Sequence, residues 1–239
     1  MNQDKNTLSD ASAWKNSLSL FTKESWVFIP ALTSSLLLYL SFFPVAWGWM
    51  GWVAMTPILW VATSNASKQM KYMAFWVCGL CFFTPALQWM RLADPRMYIT
   101  WLALSFYCSL FFPVSLYFLG FFDLAPKALA FPFVWVLVEF LRSNLMGGFS
   151  WYLIGHSQHD FLRMIQISDL SGTYGVSFLV AMGSGLLIDF ITKPFKKQLP
   201  QAIAFSVALA ATLARFFQVK PTKCQSCGFP HLRQPSRQC

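Results

Sequence analysis

A chain of 239 residues that is 56% hydrophobic, 18% aromatic and only 11% charged, with mean hydropathy +0.49, lacks the polar surface that keeps a water-soluble domain dispersed. The net charge of +9 does not restore it, because Lys and Arg fall in short clusters between apolar runs. That is the pattern of membrane topology signals, so no nucleic-acid partner is expected, and the expected fold class is all-α, a polytopic transmembrane bundle of about seven helices.

Residues 1–25 read as a polar cytoplasmic N-terminus, with Lys5, Lys15, Lys23, Asp4, Asp10 and Glu24. No cleavable signal peptide is expected, so the first membrane helix must direct insertion. A bilayer core needs about 20 apolar residues per helix, and that ruler places spans at Trp26–Phe43, Val45–Thr63, Tyr72–Met90, Tyr98–Phe122, Leu129–Leu145, Tyr174–Ile191 and Gln201–Val219. Only Pro44 separates the first two, which predicts a tight hairpin or two short tilted helices. Arg215 and many alanines make the last the weakest span. Cys78, Cys81 and Cys108 lie inside apolar runs as small hydrophobes.

With the N-terminus in the cytoplasm, the inner side carries Lys5, Lys15, Lys23, Lys68, Lys71, Lys127, Lys193, Lys196 and Lys197. The outer side carries Arg91, Arg96, Arg142 and Arg163, so the positive-inside rule favours this orientation. The transmembrane domain is then 26–219, and its longest loop, 144–173, faces outward. Residues 220–239 form a short basic tail, expected to be disordered. Cys224, Cys227, His231 and Cys239 suggest a zinc site there, but the spacing is loose and no metal is expected.

Chemistry concentrates between Phe131 and Asp189. Glu139 is expensive at membrane depth, and Arg142 follows one turn later on the same face. A local ion pair explains both; contact with a polar substrate or lipid headgroup is the alternative. Gly147–Trp151 breaks the helix and sets Trp151 at the interface, an anchor or a binding residue. His156, Ser157, His159 and Asp160 are sequence neighbours without a nucleophile elbow, so no catalytic triad is expected. Asp169 or Ser171 can cap the next helix, with Gly172 and Gly175 allowing a close turn.

The run "WVLVEFLRSNLMGGFSWYLIGHSQ" followed by "ISDLSGTYGVSFLV" resembles the membrane domain of bacterial apolipoprotein N-acyltransferase. Trp135, Glu139 and Arg142 stand on a helix, followed by Gly148, Phe149, Ser150 and Trp151, then Gly155, His156, Ser157 and Gln158, then Gly172, Tyr174, Gly175, Val176, Ser177 and Phe178. Ser150 replaces the family's Pro and His156 its Tyr. The likeness extends over roughly Leu36 to Phe190, including "FFPVAWGWMGWVAMTPIL" and "GLCFFTPALQWM".

The resemblance implies transfer of an acyl chain from a phospholipid donor to the N-terminal cysteine amine of a diacylated apolipoprotein in the bacterial inner membrane. It implies a Glu, Lys and Cys in a nitrilase-like domain after the membrane helices. The 20 residues after Val219 cannot hold that domain, so this chain is expected to have no catalytic residues of its own and no cofactor. The substrate and lipid candidates are Trp135, Glu139, Arg142, Phe149, Trp151, Gln158, Asp169 and Tyr174. Competing readings are a non-catalytic membrane scaffold or lipid-binding remnant, or the membrane part of a split enzyme. A transporter is disfavoured because only Glu139 and Asp189 are intramembrane acids and no inverted repeat shows. An intramembrane protease using Gly183, Ser184, Gly185 and His156 lacks fold context.

Overall fold

The structure, a computed structural model, describes residues 23–216 except 43, 94, 123–124, 193 and 195–198. The polar N-terminus up to residue 22 and the tail with its cysteines lie outside the described residues. After a 3-10 turn at Ser25–Val27, helix α1 spans Phe28–Ser41 and ends where Phe42 turns extended. A 3-10 turn at Gly48–Met50 leads into α2 (Gly51–Ala54) and α3 (Thr56–Thr63). Next come α4 (Lys68–Ala86), α5 (Trp89–Ala93), α6 (Tyr98–Ser109), α7 (Phe111–Gly120) and α8 (Lys127–Asn144). The last described elements are α9 (Leu162–Ile165), α10 (Ser168–Thr192) and α11 (Leu199–Phe216).

Among the described residues, four stretches are long and apolar enough to cross a membrane: Lys68–Arg91, Tyr98–Gly120, Lys127–Gly147 and Ser168–Thr192. Two shorter apolar helices, Ser25–Ser41 and Leu199–Ala210, flank them. The stretch expected as one span, Val45–Thr63, is instead broken into a 3-10 turn and two short helices. Gly48, Gly51 and Pro57 supply the breaks, and the amide of Ile58 is satisfied across the bundle by Ser34 Oγ at 2.9 Å. In hydrocarbon a freed backbone donor must find such a partner.

α10 is the centre of the bundle and packs along α8. Small residues permit the contact: a Cβ at Gly185 would meet the Lys127 carbonyl oxygen at 2.6 Å. α8 begins after Pro126, which offers no capping side chain, and Asp189 of α10 accepts the hydrogen bond of Ala128 N at 2.8 Å. On the other flank of α10, Gly183 lies under the Trp52 ring and Ser184 Oγ donates to the Trp52 carbonyl at 2.7 Å. The Gly-Ser-Gly triplet is therefore used in packing. Ser184 lies twelve residues, or about 18 Å, along α10 from Gly172, which shares the outer cleft with His156, so no Ser–His pair forms.

Candidate functional site

Residues three and four apart share a helix face, so α8 aims Trp135, Glu139 and Arg142 the same way. Glu139 is 2% and Arg142 4% exposed. The expected local ion pair does not form, since no side-chain nitrogen of Arg142 comes within 4.0 Å of the Glu139 carboxyl. Instead Glu139 Oε1 accepts from Trp135 Nε1 at 3.0 Å and from the backbone N–H of Ile154 at 2.7 Å. Arg142 donates from Nη1 to the Trp151 carbonyl at 3.1 Å and from Nη2 to the Tyr152 carbonyl at 3.3 Å, with its guanidinium 5.1 Å over the Phe83 ring. The division is chemical: a carboxyl takes the loop's spare N–H, and a guanidinium takes its spare carbonyls. Both groups border an apolar cavity of about 20 Å³, and Glu139 Oε2 is buried without a hydrogen-bond partner.

Beyond α8 the backbone turns sharply, with Met146, Gly147 and Gly148 at φ of 50°, 88° and 75°. Tyr152, at φ 57°, is also left-handed, a conformation that costs a non-glycine residue energy unless its surroundings hold it. They do: Tyr152 OH donates to the Ala86 carbonyl at 2.6 Å, and its ring sits edge-on to Phe42 and Phe82. Burial pushes its phenol pKa up. Trp151, 54% exposed, stacks between Trp89 at 5.0 Å and Phe149 at 6.4 Å.

The next segment, Ile154–Gln158, is a 3-10 turn clamped on several sides. Gly155 N–H donates to Ser177 Oγ of α10 at 3.0 Å, and any Cβ there would strike the Thr173 carbonyl at 2.7 Å. Gln158, 0% exposed, accepts from Trp52 Nε1 at 3.0 Å and donates to the Gly48 carbonyl at 2.6 Å. Close approach of the turn leaves no room for a Cβ at Gly48 or Gly51.

What this scaffold presents is an open cleft of about 650 Å³, walled by Phe42, Ser150–Leu153, His156, His159 and Gly172–Tyr174. Partial burial of its ring, reinforced by the Arg142 charge, holds the His156 pKa below the ordinary histidine value. His159 Nε2 pairs with Asp160 at 3.3 Å on the exposed rim.

Of the eight residues singled out in the sequence, Trp151 and Tyr174 line this cleft, and Phe149 supports Trp151 from behind. Trp135, Glu139 and Arg142 lie beneath it and hold its wall, and Gln158 ties the adjoining turn to Trp52 and Gly48. Asp169 stands exposed in the first turn of α10, outside the cleft lining. Phe42, Tyr152 and Trp89 were not singled out. Tyr152 follows Trp151 directly after a glycine-led break, which is a readable signal; nothing in the local pattern marks Phe42 or Trp89.

The sequence profile of the apolipoprotein N-acyltransferase N-terminal domain matches residues 34–186, the stretch that contains both the bundle centre and this cleft. The chain belongs to the apolipoprotein N-acyltransferase family. It is similar to the apolipoprotein N-acyltransferase of Rhodopirellula baltica, with 28% identity over 70% of this chain and 32% of that protein. The Geobacter metallireducens enzyme shares 27% over 80% and 39%, and that of Chlorobaculum tepidum 30% over 76% and 34%. The chain thus spans about a third of the length of these family members. Family membership and the four long apolar helices together make it a multi-pass membrane protein.

Proposed function

We propose that this chain forms the membrane platform of an enzyme that transfers an acyl chain from a phospholipid to the N-terminal cysteine amine of a diacylated lipoprotein. The observation that carries this reading is the outer cleft. Its wall is held by a buried carboxyl and a buried guanidinium that bond loop backbone instead of each other. Membrane charges are costly, and spending two of them on one loop makes sense where the loop's shape matters. The cleft's mixture of aromatic rings, hydroxyls and histidines suits molecules with an apolar tail and a polar head.

In this reading the platform is 26–219, the loop 144–173 faces away from the cytoplasm, and the protein resides in the bacterial inner membrane with residues 1–25 inside. Trp151 and Tyr174 contact lipid or lipoprotein, and Trp135, Glu139, Arg142, Phe149 and Gln158 position them; Asp169 meets headgroups at the rim. The Glu, Lys and Cys that the family resemblance implies would act from a nitrilase-like domain set over the cleft. Cells depleted of their own acyltransferase test this. The chain together with a nitrilase-like domain from a relative restores N-acylation of lipoproteins, and Trp151→Ala in that pair weakens it. No N-acylation in that pairing, with both parts present in the membrane fraction, would overturn the proposal in favour of a non-catalytic scaffold.

A further inference from the structure

Tyr174 belongs to two surfaces. Above, it closes the outer cleft; below, it heads an apolar groove of about 470 Å³ that runs down the seam of α8, α10 and α11. Phe133 and Val136 of α8, Phe178 and Leu179 of α10 and the small Ala208 of α11 line it. Phe133 meets Phe178 edge-on at 4.9 Å, so the two rings close the seam of α8 and α10 as the floor of the groove, and Phe140 braces Tyr174 at 6.0 Å. From Tyr174 to Leu179 the helix descends about 7 Å, and Phe133 lies about 17 Å along α8 from its last residue, Asn144. The groove therefore ends near the bilayer midplane, since half a bilayer core is about 15 Å.

We infer that this groove seats one acyl chain of a phospholipid whose head lies in the outer cleft, with Tyr174 at the junction. The inference rests on the proposed orientation and deepens the proposed function by naming where the donor waits. The shared residue decides the occupant: a groove at hydrocarbon depth suits a hydrocarbon chain, and Tyr174 at its head also lines the cleft whose His156, His159 and Thr173 offer the polar groups that a lipid head needs. A chain seated there lies on an aromatic floor between α8, α10 and α11, unlike bulk lipid against the exposed face of α6.

The chain is reconstituted in nanodiscs of phosphatidylethanolamine and phosphatidylglycerol, doped with a phosphatidylethanolamine carrying a mid-chain diazirine, then irradiated and mapped by mass spectrometry. Adducts are expected on Phe133, Val136, Phe178 and Leu179 at about five-fold the level on Leu102 and Phe106, lipid-exposed residues of α6. Ala208→Phe and, independently, Val136→Trp lower the groove adducts and leave those on α6 unchanged. Equal labelling of groove and α6 overturns the inference. So does undiminished groove labelling in both filled variants with helicity intact, or cross-links from the groove to a second copy of the chain. The readout involves no acyl transfer, so the groove and the proposed activity stand or fall separately.

Discussion

Glu139 and Arg142 divide the polar work of the outer loop, and their substitutions should separate accordingly. A lysine at 142 keeps the charge but offers no rigid fork for two carbonyls, so Arg142→Lys should free the Trp151–Tyr152 backbone at a cost of about 1–3 kcal/mol. Faster amide exchange over residues 150–156 with unchanged exchange in α8 is the expected result; unchanged exchange in the loop would refute it. Glu139→Gln keeps an acceptor for Ile154 N–H and should be milder than Glu139→Leu, which strands that donor. His156 gives the loop a pH dependence of known sign. Its folded pKa lies below the ordinary 6.5, chiefly through partial burial, so the open loop takes up the proton first as pH falls. Loop closure is therefore favoured fully above about pH 6.5 and weakens progressively below it. Amide exchange at residues 150–160, corrected for intrinsic rates, should rise between about pH 7.5 and pH 5.5, and less so in His156→Gln. A variant with the same pH response as the wild type would sink the assignment.

Among the elements, α8 depends on α10 at its start as the loop depends on α8 at its end. Asp189 caps the first turn of α8 from the neighbouring helix, and Gly185 lets the backbones approach. Asp189→Ala should destabilise by about 1–2 kcal/mol, as loss of a helix cap does, while Asp189→Asn retains an acceptor and most of the stability. Thermal unfolding in detergent checks the order; equal loss in both variants would mean the carboxyl's charge matters more than its acceptor. The long helices were legible because about 20 apolar residues leave one solution in a bilayer. The break after Val45 was less so: Gly48, Gly51 and Pro57 are visible, yet the run stays apolar throughout, and only tertiary partners such as Ser34 make the broken form tenable. Spacing placed Trp135, Glu139 and Arg142 on one face, but it says nothing about what lies opposite. Here that is a loop nine to fifteen residues further on, so the expected ion pair gave way to two separate clamps. The cleft itself was illegible, because Phe42, Tyr152 and Thr173 come from separate stretches and meet only in the fold.

At the scale of the whole molecule, the two ends of the bundle differ chemically. At one end Glu24 accepts from Ser67 and Lys71 donates to the Ala62 carbonyl, and Lys68 lies in the adjoining first turn of α4. At the other, the Gly48 turn, the Ile154–Gln158 turn and the stacked Trp89 and Trp151 surround the cleft. Arg91 there lies over Tyr98 and Trp101, so this end carries aromatic rings with arginine and the opposite end carries lysines. In the proposed orientation the lysine-rich end lies inside, as the positive-inside rule favours, and the aromatic end is suited to an interface where headgroups meet hydrocarbon. With the native cysteines replaced by serine, Ser150→Cys in the cleft wall and Asn65→Cys in the exposed α3–α4 turn report the two sides. A membrane-impermeant maleimide should label Ser150→Cys in intact spheroplasts and Asn65→Cys only after permeabilisation. The reverse pattern would turn the cleft toward the cytoplasm. It would then face away from the compartment where a lipoprotein presents its N-terminal cysteine after export, and the proposed acyl transfer would lose its acceptor.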